Sequence, residues 1–232
     1  PCEMDAINKI ANKYGLKVVE DACHAITATY HGRNAGTMGD TGCFSMHPLK
    51  NLNVWGDGGV VCPQSEQTAQ KLRLMRNHGL SGRDTCELFG YNSRLDTIQA
   101  VVAEHLLGKL SNITQKRIDN SLYFDTALSN IAQIKIPPRD GDYIKQVFHI
   151  YSLCFENRDE LKIYLEERGV DAKIHYPTPM HLQPAAKSFG YKKGDFPRAE
   201  YVAASVMSLP VHEFISNEQR EDVIQFIQGF YS

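Results

Sequence analysis

Met4, Ile7, Ile10, Ala11 and Tyr14 recur at three- and four-residue intervals, with Gly15 immediately after. That spacing predicts one amphipathic helix with a glycine stop. Leu16 to Val19 is a short apolar run closing on Glu20 and Asp21, which predicts a buried strand that ends in acid. Residues 22–42 are broken by Gly32, Gly36, Gly39 and Gly42, a stretch of turns. Cys43-Phe44-Ser45 and Val60-Val61-Cys62 predict strands on either side of a tight turn at Gly56-Asp57-Gly58-Gly59. Pro63 to Glu66 opens a helix that carries Ala69, Leu72 and Met75 on one face and fades by Asn77-His78-Gly79. After a polar loop over 81–92, Leu95, Ile98, Val101, Val102, His105, Leu106 and Leu110 mark a long helix, and helical spacing continues to Leu128.

The texture then changes. Ala132 to Ile136 alternates and stops at Pro137-Pro138, and residues 147–155 form a long apolar strand candidate. Asn157 with Glu160 has the spacing of a capping box before a helix that stops at Gly169, and Val170 to Ile174 predicts another strand. Ser216 with Gln219 caps a last helix containing Val223, Phe226 and Ile227. Helix, short strand, acid, then strand and helix again is an α/β pattern. The expected boundary falls near residue 130, giving one domain over 1–130 and a small α+β domain over 131–232.

The 232 residues carry 25 Lys plus Arg against 27 Asp plus Glu, a net charge of −2. Near-neutrality without a basic run argues against nucleic-acid binding through bulk positive charge. No segment reaches the apolar length of a membrane helix, and the first residues have no signal-peptide pattern. Six cysteines without a CxxC pair predict buried free thiols in a reducing compartment, here the cytoplasm. The nine histidines make no recognised metal-ligand spacing, so no metal is expected. No GxGxxG, Walker, HExxH or GxSxG motif is present.

Three residue types stand out together. Asp21 lies where a strand ends, the place where open α/β sheets put ligands. Ser45 offers a hydroxyl that can bind a phosphate. Lys50 lies five residues on, before the glycine turn. A lone lysine is ordinarily a solvated charge, and Asp21 alone would pass for a helix cap or an ion-pair partner. A partly desolvated lysine can instead form an imine with an aldehyde. Carboxylate, hydroxyl and lysine together are what a pyridoxal phosphate site needs.

The blocks Val18-Val19-Glu20-Asp21-Ala22-Cys23-His24-Ala25, Gly39 to Ser45 leading to Lys50-Asn51-Leu52 and Gly56-Asp57-Gly58-Gly59, Leu74 to Gly79, Gly90 to Leu95 with Gln99-Ala100, and His175-Tyr176-Pro177 with His181 occur in an order that resembles the DegT/DnrJ/EryC1/StrS family. These are pyridoxal-phosphate-dependent sugar aminotransferases of fold type I, in the aspartate aminotransferase superfamily. The resemblance implies the C-terminal part of a PLP-binding large domain, with a mixed, mostly parallel sheet and helices on both faces, followed by a small C-terminal α+β domain. It also implies that an N-terminal portion of the large domain is missing from this chain.

By the same resemblance Lys50 is the catalytic lysine that forms the internal aldimine, and Asp21 partners the pyridine nitrogen. His24 contacts the ring or its 3-hydroxyl, and Ser45 binds the phosphate. Asn92 reaches the phosphate in the neighbouring subunit, so a homodimer is implied. Tyr91, Arg94, His175 and His181 are candidates for the substrate site. The implied reaction is ping-pong transfer of an amino group, usually from glutamate, to a keto- or aldehyde-sugar through pyridoxamine phosphate. Such chemistry belongs to the biosynthesis of lipopolysaccharide or antibiotic amino sugars. Asn53-Val54-Trp55 is more similar to the branch acting on sugars without a nucleotide. The alternatives are a dehydratase or lyase on the same cofactor, or a non-catalytic regulatory homologue. Lys50, where the dehydratases carry histidine, favours transamination.

Overall fold

The structure, a computed structural model, describes residues 1–139 and 141–232. In chain order its α-helices are α1 (Met4–Tyr14), α2 (Glu66–Met75), α3 (Thr97–Leu107), α4 (Leu110–Leu128), α5 (Arg158–Glu166), α6 (Pro197–Ser205) and α7 (Asn217–Phe230). The strands are β1 (Val19–Asp21), β2 (Thr29–Tyr30), β3 (Arg33–Asn34), β4 (Thr41–Ser45), β5 (Gly59–Pro63), β6 (Ile134–Lys135), β7 (Ile144–Lys145), β8 (Tyr151–Phe155) and β9 (Val206–Leu209). The chain divides into two compact units. One comprises Pro1–Gln115 and Asp140–His149, the other Lys116–Arg139 and Ile150–Ser232.

In the first unit, β4 is the middle strand of a three-stranded sheet ordered β1-β4-β5. It runs parallel to β1, with Asp21 opposite Cys43, and antiparallel to β5, with Ser45 opposite Gly59. A second small sheet, β3-β2-β7, is antiparallel throughout. The α1 helix ends as its sequence dictates. Gly15 takes φ 64°, a left-handed conformation open to glycine, and its N–H closes the last turn. Met46, Leu52, Val54, Ala103 and Leu110 form one buried cluster, and Ala28, Ala35 and Val147 form another.

In the second unit, β8 lies between β6 and β9 in an antiparallel sheet. Tyr151, Leu153 and Phe155 of β8 alternate inward, the period-two pattern of a half-buried strand. α5 and α6 pack against this sheet, and α5 also packs on α7. The Ser216 side chain accepts from Gln219 N–H while the Gln219 side chain accepts from Ser216 N–H, so the capping box predicted for the last helix forms.

Several expectations are corrected. The first strand begins at Val19, because Val18 N–H donates to the Asp40 carboxylate at 2.9 Å. Glu20 and Asp21 therefore lie within the strand, and it is not buried, since Val19 is 67% exposed. The sheet carrying Asp21 has one parallel and one antiparallel ladder, so parallel pairing does not predominate among the described strands. The long helix is interrupted at Gly108, between α3 and α4. Asn157 adopts φ 50° and makes no cap hydrogen bond; the helix after it starts without the predicted box. Residues 170–174 form no strand, and Lys173 makes a single bridge to Ser208. The apolar run over 147–155 pairs only from Tyr151 onward, because Phe148 turns to φ 45°. The cysteines are free, but Cys2 and Cys86 are exposed and the other four only half-buried.

Candidate active site

Lys50 sits in a loop tied at its base to the sheet. Met46 N–H donates to the Gly58 carbonyl at 2.8 Å, and Val54 N–H to the Met46 carbonyl at 3.1 Å. Met46, Leu52 and Val54 are buried, whereas His47, Pro48 and Leu49 are exposed. Apolar pegs on both sides thus hold a polar tip in place. Gly58 is needed at the closure, because a Cβ there would lie 2.7 Å from Val54 Cγ2 and 2.9 Å from Leu95 Cδ1. Lys50 N–H closes a turn on the His47 carbonyl at 2.9 Å, and its side chain is half-buried. Burial pushes the Lys50 amine below the ordinary lysine range, while the negative potential of Cys23 and Asp21 opposes that shift.

Asp21 is held as an anion. The Cys23 thiol is the largest influence lowering its pKa, followed by the Cys23 backbone N–H at 3.1 Å and the positive potential of His24 and Lys50. Burial pushes the Cys23 thiol up to about 11, with Asp21 adding to the effect. The His24 ring meets His149 edge-on, with centroids 4.4 Å apart. His149 Nε2 lies 3.5 Å from Lys50 Nζ. The structure therefore brings Asp21, His24 and Lys50 into one electrostatic neighbourhood, and adds Cys23 and His149.

Ser45 ends β4, two residues past the partner of Asp21. At a strand rise of about 3.3 Å per residue this is roughly 7 Å further along the sheet. Its Oγ accepts from His47 N–H at 3.3 Å. Asp21 and Ser45 thus lie at the C-terminal ends of parallel neighbours, the end at which open α/β sheets bind ligands. Glu20 fixes the approach: its carboxylate accepts the backbone N–H groups of Gly36, Met38 and Gly39 at 2.7, 2.5 and 2.6 Å.

Tyr91, Asn92 and Arg94 are exposed and line a groove of about 1050 Å³ with Asp57, Arg73 and Arg76. Asn92 pairs with Asn77 in an isolated bridge, and Arg94 Nη1 donates to Asn77 Oδ1 at 2.8 Å. The second unit has its own cavity of about 940 Å³, lined by His175, Tyr176, His181 and Arg198 among others. His175 Nδ1 lies 3.0 Å from Ser208 Oγ, and burial, then Lys173, lowers its pKa. The His181 side chain is 8% exposed, with Nε2 3.0 Å from Glu200 Oε1. Glu200 also accepts Gly194 N–H at 2.7 Å, the leading cause of its lowered pKa.

His149 and Cys23 are additions to the set read from sequence. His149 falls inside a run with strand composition, so no spacing pointed to it. Cys23 is one of six cysteines that the sequence predicts as buried free thiols, with nothing to single it out. The donor set fits pyridoxal phosphate: Asp21 stays anionic and can face a protonated ring nitrogen, Lys50 has a lowered pKa, and Ser45 offers a hydroxyl at a strand end.

The profile of the DegT/DnrJ/EryC1/StrS aminotransferase family matches residues 1–228. A protein of Geobacillus stearothermophilus named "Pleiotropic regulatory protein" is 36% identical over 230 residues, 99% of this chain and 62% of the relative. The dTDP-3-amino-3,4,6-trideoxy-alpha-D-glucose transaminase of Streptomyces venezuelae is 36% identical over 228 residues, 98% of this chain and 60% of the relative. The crystal structure of S. venezuelae DesV in complex with a ketimine intermediate superposes with a TM-score of 0.95 at 36% identity, covering 100% of this chain and 62% of DesV. The chain thus spans about 62% of the length of such relatives.

Proposed function

This chain belongs to the DegT/DnrJ/EryC1/StrS aminotransferase family, and on that premise we propose that it is the Lys50-bearing part of a pyridoxal-phosphate-dependent sugar aminotransferase. The observation that carries the reading is the half-buried Lys50, its Nζ 3.5 Å from His149 Nε2, within the electrostatic reach of an Asp21 held as an anion. In this reading residues 1–130 are the latter part of the PLP-binding large domain and residues 131–232 the small α+β domain, although residues 116–130 group with the second compact unit and 141–149 with the first.

Pyridoxal phosphate, when bound, supplies an electron-withdrawing ring that stabilises negative charge at the donor's Cα. Asp21 would keep a proton on the ring nitrogen, His24 would hold the ring, and Ser45 would offer its hydroxyl to the phosphate. Lys50 is the residue that would tether the cofactor; once the amino group of the donor, glutamate, displaced it, the freed Nζ would be placed to take the donor's Cα proton as a general base. Its lowered pKa favours the unprotonated amine that both tasks require. Tyr91 and Arg94, exposed in their groove, are assigned to substrate, as is His175 in its own cavity. His181 is assigned to the scaffold because Glu200 already engages it. Asn92, exposed beside Tyr91, is assigned to the cofactor phosphate of a second copy, giving a homodimer. Among the described residues no helix is long and apolar enough to cross a membrane, and a cytoplasmic site is part of the proposal.

The acceptor is a keto- or aldehyde-sugar. The Streptomyces transaminase, named for a dTDP-linked sugar, supports a nucleotide-linked acceptor; Asn53-Val54-Trp55 supports one without a nucleotide. Retention of Lys50 and Asp21 supports catalysis over the regulatory role named for the Geobacillus relative. Incubating the full-length protein with pyridoxal phosphate, glutamate and both kinds of keto-sugar tests this. Formation of 2-oxoglutarate and an amino sugar in equal amounts is expected. Water loss from the sugar without amine incorporation would overturn it in favour of the dehydratase.

A further inference from the structure

The segment carrying His149 meets the Lys50 loop at two adjacent points. Asn51, 4% exposed, donates its side-chain Nδ2–H to the Val147 carbonyl at 3.0 Å. One residue before it, Lys50 Nζ lies 3.5 Å from His149 Nε2. Between these contacts Phe148 takes φ 45°, a left-handed conformation uncommon for an aromatic residue. Such local backbone strain persists only where surrounding contacts impose it. Here Val147 is buried against Ala28 and Ala35, and the turn at Phe148 directs the next side chain to the lysine. The His149 ring also rests against His24.

We propose that His149 is a positioning residue for Lys50, holding the ε-amino group through its Nε2 lone pair. An ammonium has only donors, so toward a protonated Lys50 the ring must accept at Nε2 and carry its proton on Nδ1. Among the described residues, the charged and titratable groups gathered around the amine are Asp21, Cys23 and His24 from the β1 end and His149 from the segment after β7. Asp21 attracts the ammonium by charge, whereas His149 sets its direction. A freely rotating amine would spend less time aligned for proton abstraction, and misalignment by about 1 Å lowers rates severely. The contact orders the side chain before substrate arrives. This inference rests on the role proposed for Lys50, but the contact can be tested without that role.

The test uses full-length, cofactor-free protein whose lysines are dimethylated with ¹³C-formaldehyde. The Lys50 signal is assigned by its loss in Lys50→Arg. Both variants remove the imidazole, so a difference between His149→Asn and His149→Gln reads the loss of the acceptor and not of the ring. His149→Asn, too short to reach Lys50, should lower the Lys50 titration midpoint by about half a pH unit or more. His149→Gln, whose Oε1 can take the place of Nε2, should keep the midpoint within about 0.2 unit. In the loaded enzyme His149→Asn should lower kcat about tenfold or more, with the KM for glutamate within about twofold, and His149→Gln should restore most of kcat. A midpoint unchanged or raised in His149→Asn, or a Gln variant as impaired as the Asn variant, would overturn the proposal. If no keto-sugar accepts an amine even with the unaltered protein, the functional reading fails and the titration alone decides the contact.

Discussion

Gly42 and Gly36 touch backbone to backbone: a Cβ on Gly42 would overlap the Gly36 carbonyl oxygen, carbon and Cα. Gly36 is itself committed, with φ 82° and a Cβ position occupied by the Phe44 ring. The contact presses the loop after β3 onto the first half of β4, next to the strand that bears Asp21. Backbone cannot yield as a flexible side chain would. Gly42→Ala should therefore destabilise the protein by about 2–4 kcal/mol, measured by denaturant unfolding. A loss under about 0.5 kcal/mol would show that the approach relaxes freely.

Glu20 supports the same loop from the other side. Its two oxygens accept three backbone N–H groups, and bonds to an ionised acceptor are the stronger kind. Glu20→Gln keeps the shape and replaces one acceptor oxygen by a donor. It should lose about 1–3 kcal/mol and speed amide exchange at Met38 and Gly39. Unchanged exchange at those amides would contradict the clamp.

Lys50 and Asp21 bias stability in opposite pH ranges. The Asp21 pKa is lowered on folding, so its contribution is present above the ordinary carboxylate value and is lost as pH falls through the lowered one. The Lys50 pKa is also lowered. Between its folded and ordinary values the unfolded chain holds the extra proton, so stability rises with pH there. While it is protonated, a half-buried Lys50 opposes folding. Lys50→Met should abolish transamination, make the cofactor-free protein no less stable at pH 7, and flatten the rise in stability on the alkaline side. A lower Tm for Lys50→Met at pH 7 would contradict this account.

His181 and Glu200 should act on the scaffold. The two side chains are 8% and 17% exposed and bonded to each other. His181→Ala takes this partner from Glu200 and should lower the Tm. His175→Ala should change the KM for the sugar more than it changes stability. Thermal melts and kinetics of the two variants, side by side, separate these roles.

Much of this was legible in the chain because local chemistry dictated it. Gly15 stops α1, Ser216 and Gln219 cap α7, and glycine positions mark where the backbone crowds. Elements decided by distant partners were not legible. β9, with all four residues buried, follows α6 without a turn residue to separate them. The cap at Asn157 failed because its backbone turned left-handed. His149 was hidden for a related reason. The run over 147–155 has strand composition throughout, yet Val147 is bound by Asn51, 96 positions earlier, and the extended backbone breaks at Phe148. The family motif pointed to Lys50 and Asp21, whereas only the fold placed His149 and Cys23 around them.

The central claim is that Lys50 is the residue that tethers pyridoxal phosphate. The most direct measurement is borohydride reduction of the full-length protein loaded with pyridoxal phosphate, followed by proteolysis and mass spectrometry of the lysine peptides. The account predicts a phosphopyridoxyl group on Lys50 and its loss in Lys50→Ala. A modified lysine elsewhere, with Lys50 untouched, would contradict it.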